Sequence, residues 1–240
     1  MITAIILAAG VGSRMQSNTA KQFLNIGERE VLSYSLCAFQ NHEAIDQIIL
    51  VTKAEYVGHC RKELVEKYGL TKVKEICIGG KERFDSVYEG LRVIQQASEN
   101  DLVLIHDGAR PFVDRNMITR SISCAKEYGA CTVGVAVKDT IKVVDEKQYG
   151  IETPERASLY QIQTPQTFRL SLIKKSYEIM KKAKKEGRVN HKITDDTMLV
   201  EQYGGVRCKV IPGSYENIKI TTPEDLEIAS IFAKKLFQKN

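Results

Sequence analysis

Ala8-Ala9-Gly10-Val11-Gly12-Ser13-Arg14-Met15 runs on to Lys21 directly after the first apolar run of the chain, Ile2 to Leu7. Gly10 and Gly12 remove the Cβ atoms that would keep a ligand from backbone N–H groups, and a strand-to-helix turn of that kind makes an anion site. Arg14 and Lys21 add two positive charges, so the segment suits a polyphosphate. The turn is not a dinucleotide fingerprint, because Met15 stands where Gly or Ala is required, and no Gly-Lys-Ser/Thr closes a Walker loop.

Four further segments carry chemistry. Gly79-Gly80-Lys81-Glu82-Arg83-Phe84-Asp85-Ser86 offers backbone groups that can read a base, with a hydroxyl and a cation beside them. His106-Asp107-Gly108-Ala109-Arg110-Pro111 delivers a carboxylate at the end of another apolar run. One carboxylate suffices for Mg²⁺, which completes its shell with water and phosphate oxygens, or for orienting a substrate hydroxyl. Lys219 alternates with Ile218 and Ile220, so in an extended segment it points away from the face those two bury. Thr194 in Thr194-Asp195-Asp196 reads as a helix N-cap that can also face a ligand. Cation-rich loops around one acid suit phosphoryl or nucleotidyl transfer, where positioning and charge neutralisation do most of the work. No Ser/His/Asp order, paired carboxylates or Cys/His nucleophile supports covalent hydrolysis. A nicotinamide-dependent oxidoreductase is disfavoured by Met15 and by Lys53, where an acid for a ribose hydroxyl belongs.

These segments need a scaffold that brings them to one edge. Strand-like runs at Ile2–Leu7, Ile45–Thr52, Val73–Ile78, Asp101–His106 and Ala130–Val137 alternate with helical patterns at Val31–Asn41, Ala54–Tyr68, Glu82–Ala97 and Asn116–Tyr128. The alternation predicts an α/β fold: a Rossmann-like, mostly parallel twisted sheet flanked by helices, with ligands outside the carboxyl ends of the strands. Between Lys138 and Gln163 the pattern breaks, and extended pieces at Ile141–Val144 and Ser158–Gln161 around Gln148-Tyr149-Gly150 predict a projecting β-arm. Helices near Leu170–Lys184 and Asp195–Tyr203, strands Val206–Ile211 and Asn217–Ile220, and a last helix from Pro223 complete the expectation. No linker or repeat divides residues 1–240, which read as a single nucleotidyltransferase domain with its arm at about 138–163.

Composition narrows the partners. The net charge of +5 suits an anionic metabolite, and the alternative of a nucleic-acid-binding module lacks support because the Tyr and Phe residues do not interleave with the basic clusters. The cluster from Lys174 to Lys185 reads as the exposed face of a helix. Six cysteines without a C-x-x-C pair predict reduced structural thiols in a cytoplasmic protein, and neither an export segment nor a membrane span is legible.

Taken together, the glycine loop with Lys21-Gln22-Phe23, Arg83-x-x-Ser86-Val87, His106-Asp107-Gly108-Ala109-Arg110-Pro111, Lys138-Asp139-Thr140, Thr164-Pro165-Gln166, Thr194-Asp195-Asp196 and Asn217-Ile218-Lys219 resemble the 2-C-methyl-D-erythritol 4-phosphate cytidylyltransferases. The resemblance spans nearly the whole chain. It implies a homodimeric enzyme of the non-mevalonate isoprenoid pathway that joins CTP to methylerythritol phosphate with Mg²⁺ and releases pyrophosphate. It further implies catalytic roles for Arg14, Lys21, Lys219 and Asp107, with Asp107 also the metal ligand. CTP would sit against Ala8, Ala9, Gly10, Gly12, Gly80, Lys81 and Ser86. Arg83, Arg110 and Thr194 would serve the acceptor, joined by Thr140 and Arg156 on the arm of the partner subunit. Two positions depart from the family pattern: Ala20 stands where a proline is usual and Lys81 where an acid is common. Tyr160-Gln161 is similar to the ribitol-5-phosphate cytidylyltransferases, which would make CDP-ribitol and stand as the alternative, whereas His106-Asp107-Gly108-Ala109-Arg110 and Arg83-Phe84-Asp85-Ser86-Val87 fit the methylerythritol group better.

Overall fold

Seven strands form one sheet in the computed structural model, which describes residues 1–10, 19–95, 98–188 and 193–238. They are β1 (Ile2–Ala8), β2 (Gln47–Thr52), β3 (Val73–Ile78), β4 (Leu102–Asp107), β5 (Ala130–Ala136), β6 (Tyr160–Arg169) and β7 (Lys209–Pro212). The order across the sheet is β7-β5-β6-β4-β1-β2-β3. β1 pairs in parallel with β2 and β4, β2 with β3, and β5 with β7, while β6 runs antiparallel to both β4 and β5.

The reason for burial on both faces is legible in β1. Its side chains alternate, sending Ala4, Ile6 and Ala8 into one apolar layer and Ile5 and Leu7 into the other. The first layer holds α1 (Val31–Gln40) and α3 (Arg115–Tyr128), the second α2 (Arg83–Arg92) and α4 (Leu170–Lys185). Each fully buried aliphatic side chain contributes about 1.5–3 kcal/mol. α2 reaches close to the sheet because Gly90 has no Cβ, which would lie 2.9 Å from Ile5 Cγ2 and 3.1 Å from Val51 Cγ2. That approach sets the N-terminus of α2 at the carboxyl edge of β1. A third, smaller cluster seats α5 (Pro223–Gln238) against Val31, Tyr34, Phe112 and Ile220. Asp225 fixes the start of α5 by accepting from the backbone N–H groups of Thr221 at 2.7 Å and Thr222 at 2.9 Å.

Several expectations need correction. The segment Ser158–Gln161 is not a piece of the arm alone, because β6 starts at Tyr160 and continues as a ten-residue strand into the middle of the sheet. Its polar run Gln163, Thr164, Gln166 and Thr167 is buried, and most of those groups are paired to loops on either side. The arm itself pairs Val143–Val144 with Gly150–Glu152. Asn217–Ile220 joins no ladder; it is held extended by Ile220 N–H donating to Ala109 O at 2.8 Å. The expected strand at Val206–Ile211 is β7, Lys209–Pro212. Ala54–Tyr68 is not one regular helix but a 3₁₀ turn (Ala54–Tyr56), an α turn (Val57–His59) and a π turn (Cys60–Glu66) in succession. α2 stops at Arg92, and Glu82 is its N-cap, joined with Asp85 in a capping box.

Candidate active site

β1, β4 and the turn after β3 end at the same edge, and a cleft of about 280 Å³ opens there. Ala9, Gly10, Lys21, Gly80, Lys81, Arg83, Ser86, Asp107 and Lys219 line it, with Leu7, Gln22, Glu82, Ala109 and Thr221. Four cations therefore face two acids, a balance that favours a polyanion. Most of the candidates from sequence meet here. Ala8 lies just behind, buried at the end of β1. Gly12 and Arg14 lie outside the described residues.

The glycine turn is pinned from beneath. Lys21 opens a short 3₁₀ turn, Lys21–Phe23, and the next side chain, Gln22, is buried. Its Nε2 donates to Ala8 O at 2.6 Å and to Gly10 O at 3.1 Å, so a single amide fixes both ends of Ala8-Ala9-Gly10. Phe23 holds the turn from the other side, its ring 4.4 Å from that of Tyr56 and 5.2 Å from that of His59. The wall after β3 must be glycine. A Cβ on Gly79 would lie 2.6 Å from Ala9 Cβ, and one on Gly80 would collide with Asp85 Cβ. Ser86, buried beside them, donates its hydroxyl to Glu82 O at 3.2 Å.

Asp107 is the electrostatic centre. Its Oδ2 accepts from Lys219 Nζ at 2.6 Å and its Oδ1 from Arg83 Nε at 3.2 Å. Burial pushes its pKa up, but Arg83, Lys219 and Arg110 together overcome that and hold the carboxyl well below the ordinary carboxylate range. Two of its four lone-pair positions carry these partners, which leaves room for one metal bond. The residues present thus fit Mg²⁺ held by one carboxylate, with no second acid needed. Gly108 lets the turn pass close to β1, since a Cβ there would lie 2.6 Å from Leu32 Cδ1 and 3.0 Å from Leu7 O.

The neighbour His106 adds no charge. Its Nε2–H donates to Arg110 O at 3.0 Å, so Nδ1 accepts from the Thr164 hydroxyl at 3.1 Å, and that hydroxyl in turn accepts the Asp107 N–H at 3.0 Å. Burial pushes the His106 pKa down to about 4. Buried Asn217 ties the Lys219 segment to β6, donating to Thr164 O at 2.9 Å and to Gln163 Oε1 at 3.3 Å.

Arg110 faces a second cavity of about 260 Å³, lined also by Gln161, Gln163, Tyr215 and Lys219. Its Nη1 donates to Asn217 O at 2.8 Å, and burial lowers its pKa. Lys219 lines both cavities, so the two adjoin at this residue. Thr140 and Arg156 lie on the exposed arm and line neither cavity; Arg156 Nη1 donates to Lys138 O at 3.1 Å. Thr194 is exposed as well, and it is not the cap. Asp195 is, because its carboxylate accepts Met198 N–H at 2.8 Å, a geometry one residue further along than expected. Sequence reasoning also gave no role to Gln22, Thr164, Asn217 or Asp196, whose partners are distant in the chain.

The family model for 2-C-methyl-D-erythritol 4-phosphate cytidylyltransferases matches residues 2–235. The chain belongs to this family. A Clostridium botulinum protein named 2-C-methyl-D-erythritol 4-phosphate cytidylyltransferase is 47% identical over 234 residues, covering 98% of each chain. One of the same name from Lachnospira eligens is also 47% identical, covering 98% of this chain and 100% of its own. Among solved structures, the 4-diphosphocytidyl-2C-methyl-D-erythritol synthase of Anaerococcus prevotii superposes with a TM-score of 0.81 at 36% identity, covering 97% of this chain and 96% of that one. The cytidylyltransferase fold and the mostly parallel sheet agree with the expectation from sequence. All six cysteines are free, and among the described residues no helix is long and apolar enough to cross a membrane.

Proposed function

We propose that this enzyme transfers the cytidylyl group of CTP to 2-C-methyl-D-erythritol 4-phosphate, giving 4-diphosphocytidyl-2-C-methyl-D-erythritol and pyrophosphate in the non-mevalonate isoprenoid pathway. The observation that carries the reading is Asp107 clasped by Lys219 and Arg83 at the edge where the glycine turn and Gly80 also open, in a chain of this family. CTP lies with its phosphates along Gly10, Gly12, Arg14 and Lys21 and its cytosine against Ala8, Ala9, Gly80, Lys81 and Ser86. The acceptor enters from the Arg110 cavity. An oxygen of its phosphate forms the new bond to the α-phosphorus, the bond from that phosphorus to the bridging oxygen breaks, and pyrophosphate leaves with the electron pair. No enzyme atom is joined covalently. Arg14, Lys21 and Lys219 stabilise the charge that builds on the phosphoryl oxygens, and each such preorganised group is worth on the order of a hundred- to a thousand-fold in turnover. Asp107 would hold Mg²⁺, which when bound neutralises phosphate charge.

The arm supports a homodimer. Val143, Val144, Tyr149 and Ile151 are exposed along it, a set of apolar side chains that a second copy would cover. In that assembly Thr140 and Arg156 of the partner subunit, with Arg83, Arg110 and Thr194 of the first, grip the acceptor. The free thiols accord with a cytoplasmic enzyme. The test is pyrophosphate release with Mg²⁺, each of the four nucleoside triphosphates, and either methylerythritol phosphate or ribitol phosphate. Release with CTP and methylerythritol phosphate alone is expected, and release with ribitol phosphate alone would overturn the choice of acceptor.

A further inference from the structure

The ion pairs at Asp107 do not end at Arg83. Arg83 Nη1 lies 2.7 Å from Asp196 Oδ2, and that pair sits behind the cleft, where Asp196 is buried. The contact is a close charge pair and not an aligned hydrogen bond, so its geometry depends on what else orients the carboxylate. The Tyr177 hydroxyl supplies an aligned donor, to Asp196 Oδ1 at 2.6 Å, while the Asp196 N–H anchors the backbone by donating to Gln166 Oε1 at 2.9 Å. Tyr177 is fully buried in α4, its ring stacked at 6.3 Å on Tyr88 of α2. A short hydrogen bond to an ionised oxygen is strong and directional. A row of alternating groups therefore runs from the apolar core to the reacting edge: hydroxyl, carboxylate, guanidinium, carboxylate, ammonium.

We propose that Tyr177 is a positioning residue: by orienting Asp196 it holds the Arg83 guanidinium in the one pose that aligns Asp107 on Lys219 and leaves Nη2 for a ligand. Among the described residues Nε and Nη1 of Arg83 are engaged by the two carboxylates, and Nη2 has no such partner. Without the hydroxyl, Asp196 loses its aligned side-chain donor. The guanidinium is then paired to a carboxylate whose orientation is no longer set by that bond. The cytosine wall at Gly80 and Ser86 is untouched by that change, so the effect falls on turnover and not on CTP affinity. The kinetic part rests on the cytidylyl-transfer reading; the geometric part does not.

The test uses Tyr177→Phe, which keeps the ring packing and removes one oxygen, with Arg83→Lys and the double variant. The Arg83 Nε–H resonance is assigned by its disappearance in Arg83→Lys and followed by ¹⁵N NMR without any substrate. In the native enzyme it should exchange slowly with water, and in Tyr177→Phe it should exchange about tenfold faster, as expected on loss of a hydrogen bond to a charged group. In steady-state assays kcat should fall about tenfold with KM for CTP within about twofold, and Tyr177→Phe should add almost nothing on top of Arg83→Lys. An unchanged Arg83 signal would overturn the proposal whether or not the enzyme turns over. So would a Tyr177→Phe effect that adds in full to Arg83→Lys. Loss of turnover in the native enzyme, with the NMR result as expected, would count against the assigned reaction alone.

Discussion

Replacing Asp107 by Asn should weaken the fold and abolish turnover, yet tighten the binding of metal-free CTP. The carboxylate accepts from Lys219 at 2.6 Å and from Arg83 at 3.2 Å, and Arg110 adds to the field that keeps it ionised. An amide has no charge and turns an N–H₂ toward one of those donors. Breaking a buried ion pair costs about 3–5 kcal/mol, but Lys219 and Arg83 are 37% and 29% exposed and recover part of their hydration, so we expect about 2–3 kcal/mol. For a chain of this size that lowers Tm by about 5–10 °C. The cleft would then set four cations against one acid. A triphosphate relieved of one like charge at this range gains on the order of fivefold in affinity after screening. Calorimetric titration of CTP in EDTA, melting curves and pyrophosphate release read the three effects separately. An Asn variant as stable as the native enzyme, or one that binds metal-free CTP more weakly, would refute the reasoning.

Gln22→Leu removes both donors to the carbonyls of Ala8 and Gly10; KM for CTP should rise about tenfold while KM for the acceptor stays within about twofold, measured by varying each substrate in turn. His106 is held neutral with its pKa near 4, so between there and its unfolded value of about 6.5 the unfolded chain binds the extra proton. Stability from this residue is complete above about pH 6.5 and declines by about 3 kcal/mol as the pH falls toward 4, and urea unfolding of native and His106→Asn proteins should show that slope only in the native one. If the arm completes the neighbouring site, Lys21→Ala and Arg156→Ala proteins, each inactive alone, should regain about a quarter of native activity after mixed refolding, since half the dimers are mixed and each carries one intact site.

The apolar run Ile2–Leu7, the alternation of such runs with helical patterns and the glycine turns at strand ends located the sheet and its ligand edge, because all are local consequences of burial and turn geometry. Asp107 was legible for the same reason, as an acid at the end of an apolar run. β6 was not. Its buried Gln163, Thr164 and Gln166 were assigned to no strand, since their hydrogen-bond partners Ser214, His106 and Asp195 lie far along the chain. The same distance hid the Arg83–Asp196 pair, and it made Thr194 look like a cap when only the fold shows that Asp195 takes that place. Lys219 was expected on a strand between Ile218 and Ile220, but the segment is held extended by Asn217 and Ala109 and not by a ladder.

The most direct measurement is a crystal structure of the enzyme with CTP bound. Cytosine is expected against Gly80 and Ser86, the triphosphate along Gly10 and Lys21, and the α-phosphate beside Lys219. Nucleotide in the separate cavity lined by Tyr34, Phe112 and Phe232, with the Asp107 cleft open, would contradict it.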